Sequence, residues 1–267
     1  QYVKGRLLRI YVPYLPIGLL MLGLYSLFPS LSNGGRDISV LTSVTLLPDG
    51  SPALSVAWTL TFELFFYALF CLYFLSPRVW NGTVVVWFVL IIVVQYSGWT
   101  PADGLESPVW RLVTSCYNLE FILGYLLSLL IIRKVSVPLW SGMLLSAFFL
   151  GLAGYGRWVG SEGFPFALNF AVAAGAFVAI FVAIVHFNRR FSNRSVFMMI
   201  GNATYSLYLV HNPLQMVLIR FFPKVDNVTA AWGVMALSLV ICSAVGYGYY
   251  YVMEKRAMRM LMTKFGV

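Results

Sequence analysis

The sequence predicts an all-α, polytopic transmembrane helix bundle, and three observations carry the prediction. Of 267 residues, 60% are hydrophobic and only 10% are charged, against roughly 45–50% and about 25% in ordinary soluble domains. The apolar residues fall in continuous runs of about 20, the length a helix needs to cross a hydrocarbon core of about 30 Å. Lys and Arg are distributed unevenly between the two sets of ends of those runs. Barrel strands are excluded because they would alternate apolar and polar residues over only about 10 positions.

About eight spans emerge, each bounded by Pro, Gly or charge. The first, 10–28, follows the polar and basic Gln1 to Arg9 and ends at Pro29. The second, 54–75, runs from Pro52 to Ser76-Pro77-Arg78, and the third, 80–97, stops at Gly98. Arg111 and Arg133-Lys134 bracket the fourth, 112–132. Pro138 opens the fifth, 137–155, and Gly156-Arg157 closes it. The sixth, 164–186, ends ahead of Arg189 and Arg190; the seventh, 197–221, ends ahead of Pro223-Lys224; the eighth, 229–253, ends at Glu254-Lys255-Arg256. Two outer loops, Pro29 to Pro52 and Gly98 to Arg111, are rich in Gly, Pro and Asp and read equally as substrate entrances or as plain connectors. No linker or internal repeat divides the chain, so 1–267 reads as a single transmembrane domain.

Orientation follows from the basic residues, because basic loops stay in the cytoplasm. One set of ends carries thirteen: Lys4, Arg6, Arg9, Arg78, Arg133, Lys134, Arg189, Arg190, Arg194, Lys255, Arg256, Arg259 and Lys264. The other carries five: Arg36, Arg111, Arg157, Arg220 and Lys224. Both termini are therefore expected in the cytoplasm. Asp37, Asp49, Asp103, Glu106, Glu162 and Asp226 fall on the outer side, in agreement. The net charge of +9 is a property of the cytoplasmic face, where it attracts anionic lipid headgroups. It calls for no nucleic acid. Cys71, Cys116 and Cys242 sit within apolar runs without metal-ligand spacing, so they read as small hydrophobes and no metal is expected.

Ionisable groups inside spans cost about 2.5–3.5 kcal/mol on insertion scales and are functional candidates. Glu63 stands out. The steps Thr59, Glu63, Tyr67 place a hydroxyl, a carboxyl and a phenol on one helix face, either as a site wall or as a hydrogen-bonded structural stripe. Glu120 reads as structural, and His186, beside Arg189 and Arg190, as interfacial. His211 lies in a dense polar stretch where Asn202, Tyr205, Tyr208 and Asn212 recur at helical spacing, and Pro213 leaves a carbonyl unpaired one turn earlier. Such density points to a site wall. Arg6 and Arg9 share a face three residues apart, as a phosphate clamp or as a pair of snorkelling anchors.

Three segments resemble the acyltransferase type 3 family of bacterial inner-membrane proteins, which acylate extracytoplasmic glycans and related molecules. Gly5-Arg6-Leu7-Leu8-Arg9-Ile10-Tyr11-Val12-Pro13 is similar to the family's Arg-x-x-Arg opening of its third helix. Trp58-Thr59-Leu60 with Glu63 and Tyr67 resembles its Trp-(Ser/Thr)-Leu-x-x-Glu segment. Tyr205-Ser206-Leu207-Tyr208-Leu209-Val210-His211-Asn212-Pro213 resembles its late Tyr-Ser-x-Tyr-Leu-x-His-x-Pro helix. The family's last helix commonly ends Glu-(Lys/Arg)-Pro; here Glu254-Lys255-Arg256 lacks the proline.

The resemblance implies a multi-pass protein of the bacterial inner membrane, with ten helices of which about eight are present here. It implies acyl-coenzyme A, acetyl-coenzyme A in the first instance, reaching Arg6 and Arg9 from the cytoplasm. A glycan or related carbohydrate hydroxyl would approach from outside. The expected catalytic residues are Glu63, His211, Tyr205 and Tyr208; those expected to contact the acceptor are Trp58, Thr59, Tyr67, Asn202, Ser206 and Asn212. Family members carry two further helices ahead of the paired arginines, the first with an arginine and the histidine base, so the chain is expected to be amino-terminally truncated and inactive alone. A secondary transporter or flippase is the rival reading, since broken helices and midplane polar groups also mark transporters; the lack of repeat symmetry between the halves stands against it.

Overall fold

A computed structural model describes residues 1–29, 37–97, 107–160, 165–187, 196–222 and 227–266. Arg36, Arg189, Arg190, Arg194 and Lys224 from the count of basic residues lie outside the described residues, as do Asp103, Glu106, Glu162 and Asp226. Among those described, seven helical stretches are long and apolar enough to cross a membrane. The expected seventh span is a helix of 26 residues, Val196–Phe221, but it is not one of the seven; Asn202, His211, Asn212 and Gln215 dilute its apolar character. The described chain divides into two compact units, Gln1–Tyr67 with Asn193–Val267, and Ala68–Ser192.

The first unit is built on α1 (Tyr2–Leu27). This helix starts well ahead of the apolar run because Lys, Arg and Leu are good helix formers, and so the paired arginines ride on a continuous helical shaft. Pro13 and Pro16 lie inside it, where each removes a backbone donor. After α1 comes a folded segment rather than a bare connector. Ser39 caps α2 (Val40–Thr45), accepting from Thr42 N, and Leu46 closes it in the left-handed region at φ 59°.

Two side chains satisfy backbone amides of this segment, and a third binds the Asp49 carboxylate. Thr42 Oγ1 accepts from the amides of Asp49 and Gly50, Ser43 Oγ accepts from Ala53 N at 2.8 Å, and Ser39 Oγ donates to Asp49. Tyr14 donates to the Ser43 carbonyl at 2.6 Å and Tyr11 to the Thr45 carbonyl. Leu46, Ala53 and Leu54 are buried with Ile10, Tyr14 and Ile17 in one apolar cluster. Residues 37–54 therefore form a packed cap on α1.

A short 3-10 turn, Ser55–Ala57, leads into α3 (Trp58–Leu75), whose residues as far as Tyr67 belong to this unit. The unit is completed by α9 (Val196–Phe221) and α10 (Val228–Tyr249), which continues as a π-helix, Tyr250–Ala257, into α11 (Met258–Phe265). Where α9 crosses α10, a Cβ on Gly246 would stand 2.9 Å from Leu207 Cα. Only glycine permits that approach, which brings the polar stretch of α9 against its neighbour.

The second unit holds α4 (Pro77–Ser97), α5 (Pro108–Thr114), α6 (Asn118–Ile132), α7 (Leu139–Trp158) and α8 (Pro165–Phe187). The expected fourth span is thus two helices. Asn118 donates to the Leu112 and Val113 carbonyls, while Trp87 and Gln95 donate to those of Val113 and Thr114. Side chains replace the ladder where it breaks, as a membrane interior requires. In the α7–α8 pair a Cβ on Gly142 would stand 2.2 Å from Val182 Cγ2, and Ser146 donates to the Gly175 carbonyl at 2.9 Å. His186 lies 2.8 Å from the Val137 carbonyl through Nε2, so it ties α8 to the start of α7.

Candidate functional site

The residues singled out from sequence gather, with few exceptions, inside the first unit in two tiers along α9. The inner tier begins at the start of α1. Arg6 lies over the Tyr67 ring at 5.0 Å and the Tyr2 ring at 5.4 Å, and those rings meet edge to face at 6.4 Å. A guanidinium held between two aromatic faces gains cation–π attraction and stays fixed in direction. The Tyr67 hydroxyl donates to Glu63 Oε1 at 2.5 Å, the contact that four-residue spacing on α3 provides. Arg6, Tyr67 and Glu63 therefore form one chain of contacts joining α1 to α3.

On the α9 side of this tier, Tyr205 donates to the Ile10 carbonyl at 3.1 Å and lies within electrostatic reach of Glu63, Glu254, Tyr67 and Tyr249. Tyr249 donates to the Pro13 carbonyl at 2.6 Å. Two phenols from different helices thus grip neighbouring carbonyls in the part of α1 that its prolines disturb. Ser206, fully buried, gives both its hydroxyl and its backbone N–H to Glu254. Arg9 is exposed and lies within electrostatic reach of Tyr67 and Glu254.

The outer tier lies one to two turns further along α9. The Tyr208 hydroxyl sits 2.7 Å from Thr59 Oγ1 and donates to the Val56 carbonyl at 2.7 Å. Its proton is committed to the opening of α3, which makes this phenol a brace. Asn212 Oδ1 accepts from Ser55 at 2.9 Å. His211 lies beside Tyr208, ring centroids 5.7 Å apart, with Nδ1 3.2 Å from the Leu207 carbonyl. A carbonyl only accepts, so in neutral imidazole this bond puts the proton on Nδ1 and leaves Nε2 as an acceptor.

Two expected residues lie apart from these tiers. Trp58 is 40% exposed with its ring edge-on to Phe62, and Asn202 is exposed on α9. The sequence reading assigned no role to Glu254, Tyr2 or Tyr249. Glu254 had one legible signal, an acid standing alone against Lys255 and Arg256. Its partner is 48 residues away and no spacing rule links them.

Chemically, the inner tier offers a carboxylate with a phenol donating to it beside fixed and free guanidinium groups. Cations of that kind suit phosphate. The outer tier offers an imidazole acceptor and an amide beside it.

Comparison with known proteins bears on the same residues. An acyltransferase domain family model matches residues 1–247, a range that includes the whole of both tiers except Tyr249 and Glu254. The chain is also 29% identical over 220 residues to the exopolysaccharide production protein ExoZ of Rhizobium meliloti (strain 1021), covering 79% of this chain and 67% of that protein. No solved structure matches. With the helices, the three motifs and the extent of the match in agreement, this chain belongs to the acyltransferase type 3 family and is a multi-pass membrane acyltransferase.

Proposed function

We propose that this protein moves an acyl group, acetyl in the simplest case, from acyl-coenzyme A to a hydroxyl of an extracytoplasmic glycan. It does so in a bacterial plasma membrane, with both termini in the cytoplasm. The observation that carries this reading is the contact chain Arg6–Tyr67–Glu63, in which a guanidinium, a group suited to phosphate, and a carboxyl group meet the same tyrosine. The charge asymmetry of the helix ends supports the orientation. ExoZ, by its name a protein of exopolysaccharide production, supports a glycan acceptor.

In this reading the coenzyme phosphates lie on Arg9 and on Arg6, whose guanidinium is already oriented by Tyr2 and Tyr67. The thioester then extends toward Glu63. The acceptor oxygen attacks the thioester carbonyl carbon, the new C–O ester bond forms, and the C–S bond breaks. The proton lost by the hydroxyl ends on the departing thiol. His211 Nε2, Asn212 and the Glu63 carboxylate orient the acceptor by accepting from its hydroxyls, while Tyr67 and Tyr205 hold that wall in place through Glu63 and the Ile10 carbonyl, so that the reactants meet in a productive geometry.

The test uses the full-length protein in sealed vesicles, with radiolabelled acetyl-coenzyme A on the face bearing Arg6 and a soluble exopolysaccharide fragment on the other. Label is expected to appear in ester linkage on the glycan. Absence of glycan label, with the thioester intact, overturns the proposal.

A further inference from the structure

We infer that Tyr251, Lys255 and Arg256 form a binding site for the phosphate headgroup of an anionic glycerophospholipid, whose acyl chains lie along the exposed face of α10. The site lies outside both tiers and is independent of the proposed reaction. The Lys255 ammonium stands 5.0 Å and the Arg256 guanidinium 4.7 Å from the centre of the Tyr251 ring, and Arg256 donates to the Tyr251 hydroxyl at 3.3 Å. Two long, flexible cations from successive positions are thus gathered at one aromatic side chain. Like charges brought together repel, and an anion held by both removes the repulsion. Glu254, the adjoining acid, is committed to Ser206 and so leaves that place to a ligand. The ammonium and the remaining guanidinium donors offer hydrogen bonds to several oxygens of one phosphate.

Depth and the neighbouring surface select a lipid. Helix α10 has 22 residues, a rise of about 33 Å, close to the hydrocarbon core of about 30 Å; the stretch that follows it therefore stands at the level of the headgroups. Val240, Ala244, Tyr247, Tyr251 and Lys255 recur at helical spacing, and all are exposed. One strip of helix surface passes from aliphatic to aromatic to cationic, the order of acyl chain, glycerol and phosphate in a phospholipid. Tyrosine suits the middle of that series, because its ring is apolar and its hydroxyl can stay wet. Beside the strip, a Cβ on Gly248 would meet nothing within 4 Å, which leaves a notch for a chain. A soluble polyanion would gain nothing from the apolar part of the strip.

The test is photolabelling of the full-length protein in phosphatidylcholine vesicles that hold a trace of phosphatidylglycerol or of phosphatidylcholine with a diazirine in one acyl chain. Crosslinks within 240–251 are expected about 25-fold more often from phosphatidylglycerol, about five-fold for each of two cations near a membrane surface. Lys255→Gln and Arg256→Gln, both at exposed positions, should each lower that ratio about five-fold, and the double variant should bring it near one. Each value compares two lipids on the same variant, so a loss of folded protein cancels. Arg259→Gln, which removes an exposed cation of α11, should leave the ratio unchanged.

Equal labelling of the natural sequence by the two lipids would overturn the proposal. An equal fall in Arg259→Gln would overturn it in favour of attraction to the charged surface as a whole. Loss of phosphatidylglycerol labelling when coenzyme A is added on the same face would assign the phosphate at these side chains to a soluble nucleotide, and would overturn it too.

Discussion

Ser206 directs its hydroxyl and its backbone N–H to one oxygen of Glu254, at 2.5 and 3.1 Å. A mid-helix N–H ordinarily serves its own helix, so this carboxylate fastens the middle of α9 to the π-helix. Glu254→Ala should destabilise the protein by about 1–3 kcal/mol, the cost of stranding buried donors. Measured by unfolding in detergent, the double variant with Ser206→Ala should fall short of the sum by about 1 kcal/mol. Strict additivity would mean the two residues do not cooperate.

The paired arginines give a kinetic prediction. Arg6→Ala and Arg9→Ala should each raise KM for acetyl-coenzyme A roughly ten-fold, as loss of one charge-assisted hydrogen bond implies, with kcat little changed. Arg6→Lys should recover only part of the loss, because an ammonium does not stack between Tyr2 and Tyr67 as a guanidinium does. An unaltered dependence on donor concentration would remove both residues from donor binding.

For Glu63 the expectation concerns turnover. Glu63→Gln keeps the shape and loses the charge, and glycan acylation should fall by about 100-fold or more while membrane insertion is unchanged. Tyr67→Phe should fall less and should also weaken donor binding, since the ring under Arg6 remains but its tie to Glu63 is cut. Full activity in Glu63→Gln would exclude an essential carboxylate.

Two glycines near the end of α10 should behave oppositely. A Cβ on Gly246 meets the Leu207 backbone at 2.9 Å, whereas Gly248 has open space around it. Gly246→Ala should therefore cost about 1–3 kcal/mol by overpacking, and Gly248→Ala should gain up to about 1 kcal/mol from helix propensity. Thermal unfolding of the two purified variants decides the matter, and equal midpoints would show that the close approach carries no energy.

The sequence made local relationships legible and left distant ones hidden. Helix spans stood out because hydrocarbon imposes length and composition, and the stripe Thr59, Glu63, Tyr67 was readable because helical spacing alone creates it. The break between α5 and α6 was missed, since its cause is side chains from α4 and Asn118 taking over carbonyls within an unbroken apolar run. The cap over 37–54 was ambiguous for a related reason: its polar residues look like a loop, yet Thr42 and Ser43, both buried, accept from backbone amides of the segment. Tyr205 was visible as a polar group and Tyr249 was not singled out; their carbonyl partners on α1 lie 195 and 236 positions away. Glu254 depends on a helix that changes its winding, which no hydrophobic pattern encodes.

That change of winding makes the stretch from Tyr250 to Ala257 sensitive to insertion and deletion. Each residue there advances the helix by less than the usual about 100°. Excising one residue would let an ordinary helix form and re-phase everything that follows, swinging the carboxylate off Ser206 and turning Arg259 and Lys264 to a different side. Point substitutions along its exposed edge should be tolerated, while a single-codon indel would act at a distance through rotation alone.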